Sequence, residues 1–73
     1  MYVVLEIKEK VDGSVEVSNY RKETKDLAEQ AYHSVLSNAA VSTNLVHSGV
    51  LMNTMGQTLK SEYYKHDPPE QNN

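Results

Sequence analysis

The chain has no cysteine, no tryptophan and no phenylalanine, and only three glycines and two prolines among its 73 residues. Lacking cysteine, it has neither a disulfide framework nor a thiolate zinc site to reinforce a thin core. Gly13, Gly49 and Gly56 lie too far apart to form a phosphate-cradling loop. Excess positive charge is also missing: seven Lys and Arg stand against ten Asp and Glu, for a formal charge of −3. Duplex nucleic acid is therefore not an expected partner, because phosphate neutralisation needs clustered Lys and Arg. Nor is there a long apolar run. The opening "MYVVLEIKEKVDG" is interrupted by charge from Glu6 onward, unlike a signal-peptide core or a membrane span. A soluble protein that stays in the cytoplasm of the cell that makes it is expected, with no membrane partner.

What is present is alternation. In "YVVLEIKEKV", Val3, Leu5 and Ile7 point one way, while Tyr2, Val4, Glu6 and Lys8 point the other. Asp12-Gly13 and the alternating "SVEVSNY" complete a hairpin whose turn uses glycine at positive φ. The period then changes. Thr24 is placed to cap a helix over Lys25 to about Ala40, with Asp26 and Glu29 in its opening turns and Leu27, Ala28, Ala31, Tyr32, Val35, Leu36 and Ala39 as its apolar stripe.

Beyond "VSTN" the period returns to two. Val46, Ser48, Val50 and Met52 share one strand face, and Leu45, His47, Gly49 and Leu51 the other. "NTMG" reads as a type I turn closed by a left-handed glycine. The last strand sets Leu59, Ser61 and Tyr63 against Thr58, Lys60, Glu62 and Tyr64. These elements predict an α+β fold, ββαββ: a four-stranded, mostly antiparallel sheet with one helix packed on one face. One domain is expected over residues 1–66, followed by a disordered tail over 67–73 that is polar and proline-containing.

One helix covers one face only. With Val3, Leu5, Ile7 and Tyr63 assigned to the core, the uncovered face carries Tyr2, Val4, Glu6, His47, Leu51, Lys60, Glu62 and Tyr64, a mixture that reads as an interface or binding surface. A chain this short buries only about 60% of its unfolded surface, so self-association is the expected support. Ser48, His47 and Asp67 make no catalytic triad, because neighbouring strand residues face opposite ways. His33, His47 and His66 with Glu62 match no metal-ligand spacing. No enzyme activity, metal or cofactor is expected.

The run "EQAYHSVLSNAAVSTNLVHSGVLMNTMGQTLKSEYYKH", with the opening "YVVLEI", resembles a group of short, largely uncharacterised proteins encoded by phages and prophages of Firmicutes. The shared positions are Tyr32, His33, Ser42, His47, Ser48, Gly56, Lys60, Glu62, Tyr64 and His66; Lys8 and Gly49 depart from the commoner Gln and Ala. The resemblance implies location in the cytoplasm of an infected bacterial host, and it brings no activity with it. Tyr2, Tyr32, His33, His47, Lys60, Glu62, Tyr64 and His66 are the candidate ligand-binding or interface residues. Two functions are expected from them. One is a non-enzymatic homo-oligomer that sequesters a small anionic immune signal, such as a cyclic nucleotide or ADP-ribose derivative, at subunit interfaces, by analogy with short phage sponge proteins. The other is a virion structural or assembly accessory acting through protein–protein contacts.

Overall fold

The computed structural model describes residues 1–67. Its element order is β1 (Tyr2–Glu9), β2 (Val15–Lys22), α1 (Lys25–Ala40), β3 (Val46–Asn53) and β4 (Thr58–Lys65). All strand pairs are antiparallel, in the order β2-β1-β3-β4. The expected α+β ββαββ architecture is thus present. Of the expected 67–73 tail, Asp67 is exposed and outside any element, and the remainder lies outside the described residues.

Local chemistry sets the boundaries. Gly13, at φ +91°, closes the β1–β2 turn with its N–H donating to the Lys10 carbonyl at 2.9 Å, and Asp12 Oδ1 accepts from the Ser14 amide at 2.9 Å. Gly56, at φ +88°, plays the equivalent part between β3 and β4, where Asn53 Oδ1 accepts from both Met55 N and Gln57 N at 3.0 Å. Asparagine there imitates a backbone turn with its side chain. Thr24 caps α1 as expected, in extended conformation, its hydroxyl accepting from Leu27 N at 3.2 Å.

Since β2 and β3 both run antiparallel to β1, they run parallel to each other, and α1 is the crossover between them, lying over the sheet's middle. The core is Val4, Ala28, Tyr32, Val35, Ala39 and Leu51, with Tyr2, Ala31 and Leu36 packed around it. Ala28 and Ala39 are fully buried, so their small side chains bring the helix axis close. Gly49 does the same from the sheet: a Cβ there would sit 3.1 Å from Val35 Cγ1 and 3.4 Å from Leu36 Cδ2.

The faces are the reverse of those expected. Every buried strand residue, Val4 and Glu6 on β1 and His47, Gly49 and Leu51 on β3, lies on the set that alternation assigned to the uncovered side. The helix therefore covers Tyr2, Val4, Glu6, His47, Leu51 and Tyr64. The open face is Val3, Leu5 and Ile7 with Val15, Val17, Val46, Val50 and Tyr63. Tyr63, expected in the core, is 65% exposed, and Leu27, expected in the helix stripe, is 49% exposed. Both faces of β1 are apolar enough to pack against a helix, so alternation within single strands did not choose between them.

Candidate functional site

Beneath α1, three polar side chains form a diagonal across three strands. Tyr20 on β2 donates its hydroxyl to Glu6 Oε1 at 2.9 Å, and His47 Nε2 on β3 meets Glu6 Oε2 at 2.7 Å. The register explains the line: Tyr20 pairs with Val4, one same-face position from Glu6, and His47 pairs with Lys8, one position the other way. Glu6 is 7% exposed and His47 only 3%. A carboxylate accepts and does not donate, which assigns the imidazole proton to Nε2. His47 Nδ1 is buried and has no partner among the described residues; an unprotonated ring nitrogen leaves an empty acceptor there rather than a stranded N–H.

Burial by itself would raise the Glu6 pKa. Hydrogen bonds from His47 and Tyr20, with the charge of Lys8, outweigh it and hold the carboxyl below its usual range. In turn, the Tyr20 phenol is pushed up, first by its bond to Glu6 and then by burial and the Glu6 charge. The network therefore keeps a carboxylate ionised in a nearly closed site, each proton held by its own partner.

One cleft opens beside this network. It has a volume of about 230 Å³ and lies between α1 and the β2 edge. Glu6, Tyr20 and Lys22 line it from the sheet, and Ala31, Ser34, Val35 and Asn38 from the helix. It thus offers an apolar floor, the Glu6 carboxylate, an ammonium, two hydroxyls and an amide. Of these lining residues, none was among the expected site residues. The available signal was Glu6, a carboxylate two positions from Val4 in an otherwise core-forming strand.

The expected site residues are mostly engaged elsewhere. Tyr32 is buried in the core, and burial, followed by the charge of Glu62, raises its phenol. Tyr2 is half-buried against the core. His33 is exposed on α1, its ring edge-on to Tyr32 at 5.5 Å between centroids. Lys60 is ion-paired to Glu29, tying β4 to the start of α1 and lowering the Glu29 pKa. Glu62 is exposed. Tyr64 pairs with His47 across the β3–β4 ladder and stacks on His66 at 6.5 Å and 9°. His66 donates from Nε2 to the Ala39 carbonyl at 2.8 Å, which also accepts from Ser42 N at 3.3 Å, in the last turn of a helix that has no basic residue there. The structure thus brings His47, Tyr64 and His66 along one side of the helix, and leaves Lys60, Tyr2 and His33 apart from them.

Among the described residues no cluster of three or more His, Cys, Asp or Glu could hold a metal, and no helix is long and apolar enough to cross a membrane. No protein-family model, curated protein or solved structure matches the chain.

Proposed function

We propose that the chain is a small, non-enzymatic, homo-oligomeric binding protein that acts through protein contact at its open sheet face, in the manner of a phage-encoded assembly accessory in the cytoplasm of an infected bacterium. One observation carries this reading: the face opposite α1 is built from Val3, Leu5, Ile7, Val15, Val17, Val46, Val50 and Tyr63, and nothing in the chain described here covers it. Val15 and Val17 are 59% and 58% exposed. Sheets bury their apolar faces against another layer, and contiguous apolar patches on isolated domains mark interaction surfaces. The non-enzymatic reading has its own support. Among the described residues, the buried pair Glu6 and His47 lies beneath the helix, bonded to each other and to Tyr20.

A second reading, sequestration of a nucleotide-derived immune signal, is favoured by the α1–β2 cleft, where Lys22, Tyr20, Ser34 and Asn38 suit an anionic or ribose-like group. Its size argues for second place. At about 230 Å³ it is smaller than the roughly 300–1,000 Å³ of pockets for drug-sized ligands. It accommodates a phosphate or a ribose rather than a whole cyclic dinucleotide.

The test is the solution mass of the protein and of Val17→Glu, with melting temperatures taken against cyclic di- and trinucleotides and ADP-ribose isomers. An oligomer that Val17→Glu dissociates is the expected result. A monomeric wild-type protein whose melting temperature rises with one of these nucleotides, and does so less in Lys22→Ala, would replace the first reading with the second.

A further inference from the structure

The cross-strand register arranges the open face in rows. From β2 to β4 they read Val15–Glu9–Val46–Lys65, then Val17–Ile7–Ser48–Tyr63, then Asn19–Leu5–Val50–Ser61, with Arg21–Val3–Met52 at the bulged end. The two middle strands supply Val3, Leu5, Ile7, Val46, Val50 and Met52 to these rows, interrupted by Ser48 and Glu9, and the charged groups Glu9, Lys65 and Arg21 lie in the two outermost rows. That is a core with a polar rim, the anatomy of an interface.

The area reaches the lower threshold for a specific contact. Four strands about 4.8 Å apart and eight residues long at about 3.3 Å per residue span roughly 500 Å² in projection, so two such faces supply about the 1,000 Å² a specific interface needs. A larger partner is not required to cover it.

We infer, building on the proposed self-association, that a second copy of this chain closes the open face, stacked about a two-fold axis parallel to the strands so that β2 of each copy lies over β4 of the other. This rotation keeps each row level and reverses its order. Val17 then meets the partner's Tyr63, Leu5 meets the partner's Val50, and Asn19 meets the partner's Ser61. Glu9 lies over the partner's Val46 and Val15 over the partner's Lys65, which makes Glu9 and the partner's Lys65 diagonal neighbours of opposite charge. The alternative axis, perpendicular to the strands, exchanges the rows and sets Glu9 on the partner's Val3, Asn19 on the partner's Val17 and Arg21 on the partner's Val15. Each of those contacts puts a polar or charged group on an apolar one, which costs free energy unless a hydrogen bond replaces water. The strand-parallel axis has three polar-on-apolar stacks of its own, Glu9 on the partner's Val46, Val15 on the partner's Lys65 and Ile7 on the partner's Ser48, against four for the perpendicular axis, which adds Ser48 on the partner's Val50. It also pairs Asn19 with the partner's Ser61 and keeps Leu5 on the partner's Val50, and this balance selects it. In this dimer both helices face outward, and each α1–β2 cleft stays open and separate.

The absence of cysteine makes the geometry directly testable. In Asn19→Cys/Ser61→Cys, a thiol-specific crosslinker just able to span the roughly 10 Å between packed sheets should produce a covalent dimer. Either single variant should not. Within one chain the two positions lie on opposite edges of the sheet, about 14 Å apart by strand spacing, so an internal link does not compete. The wild-type protein should sediment as a dimer, and Val17→Glu as a folded monomer by circular dichroism. A dimer dissociated by Val17→Glu whose double-cysteine variant fails to crosslink overturns the stacking geometry and leaves the self-association reading intact. A wild-type monomer at high micromolar concentration overturns both.

Discussion

Replacing Glu6 is the most informative perturbation of the folded chain. Glu6→Ala removes both the 2.9 Å bond from Tyr20 and the 2.7 Å bond to His47. Tyr20 can turn to water, since it is 39% exposed; His47, at 3%, cannot. Its Nε2–H is then stranded in a site where Nδ1 already lacks a partner. An unsatisfied buried donor costs about 1–3 kcal/mol, and a hydrogen bond to a charged group contributes about 1.5–3 kcal/mol. We expect a loss of about 3 kcal/mol. A domain of this length has only about 4–11 kcal/mol of stability, and each kcal/mol moves its melting temperature by about 4–8 °C, so Glu6→Ala should melt more than about 12 °C lower. Glu6→Gln keeps the shape and one acceptor and should lose about half as much. The assay is thermal and urea unfolding at fixed chain concentration, run as a double-mutant cycle with His47→Ala. Effects that add with no coupling, or a Glu6→Ala loss under about 0.5 kcal/mol, would refute the claim that the pair stabilises the fold.

Acid should expose the same network. The Glu6 carboxyl lies below its usual range in the folded chain, so its contribution is present above the unfolded carboxylate value of about 4.3 and is lost as pH falls through the folded value. Glu6→Gln should therefore flatten the acid limb of the stability curve relative to wild type. Leu51→Ala, at a fully buried position, should cost about 2–5 kcal/mol in urea unfolding. His66→Ala removes the bond to the Ala39 carbonyl and should cost about 1 kcal/mol, read as faster amide exchange in the last turn of α1. The proposed dimer predicts a wild-type melting temperature that rises with protein concentration, a dependence Val17→Glu should abolish.

The elements themselves were legible from the residues. Period-two alternation marked the strands, Thr24 and the 3.6-period stripe marked α1, and Gly13 and Gly56 marked the turns, because each of these signals is local. What was not legible was which face the helix covers. That depends on strand order: α1 is a crossover between parallel β2 and β3, and the handedness such connections obey decides the face only once β1 is known to lie between them. The same step moved His47 from a binding surface to a buried pair, and Tyr63 from the core to the open face. Gly49 carried a partial clue. A glycine in mid-strand marks close approach of another backbone or side chain, and here Val35 and Leu36 are what approach.

The position of β1 accounts for why both faces are apolar. It is an inner strand of the sheet, flanked by β2 and β3, so its Val4 and Glu6 lie under the helix while its Val3, Leu5 and Ile7 form the middle of the opposite face. An inner strand that served only a helix-backed monomer could carry polar residues on its outer side, as antiparallel sheets with one solvated face do. Here the polarity runs the other way: the one carboxylate near its centre, Glu6, is on the covered side, where Tyr20 and His47 satisfy it. With the carboxylate satisfied inside, the outer side of β1 is left free of charge until Glu9 at its end. Val3→Lys, or more severely Leu5→Lys, should therefore be tolerated by the fold and not by the dimer, since the altered side chains leave the α1 core untouched and introduce charge at the centre of the proposed contact. A variant at Leu5 that unfolds the chain at every concentration, instead of releasing folded monomer, would show that the outer face belongs to the core of the single chain.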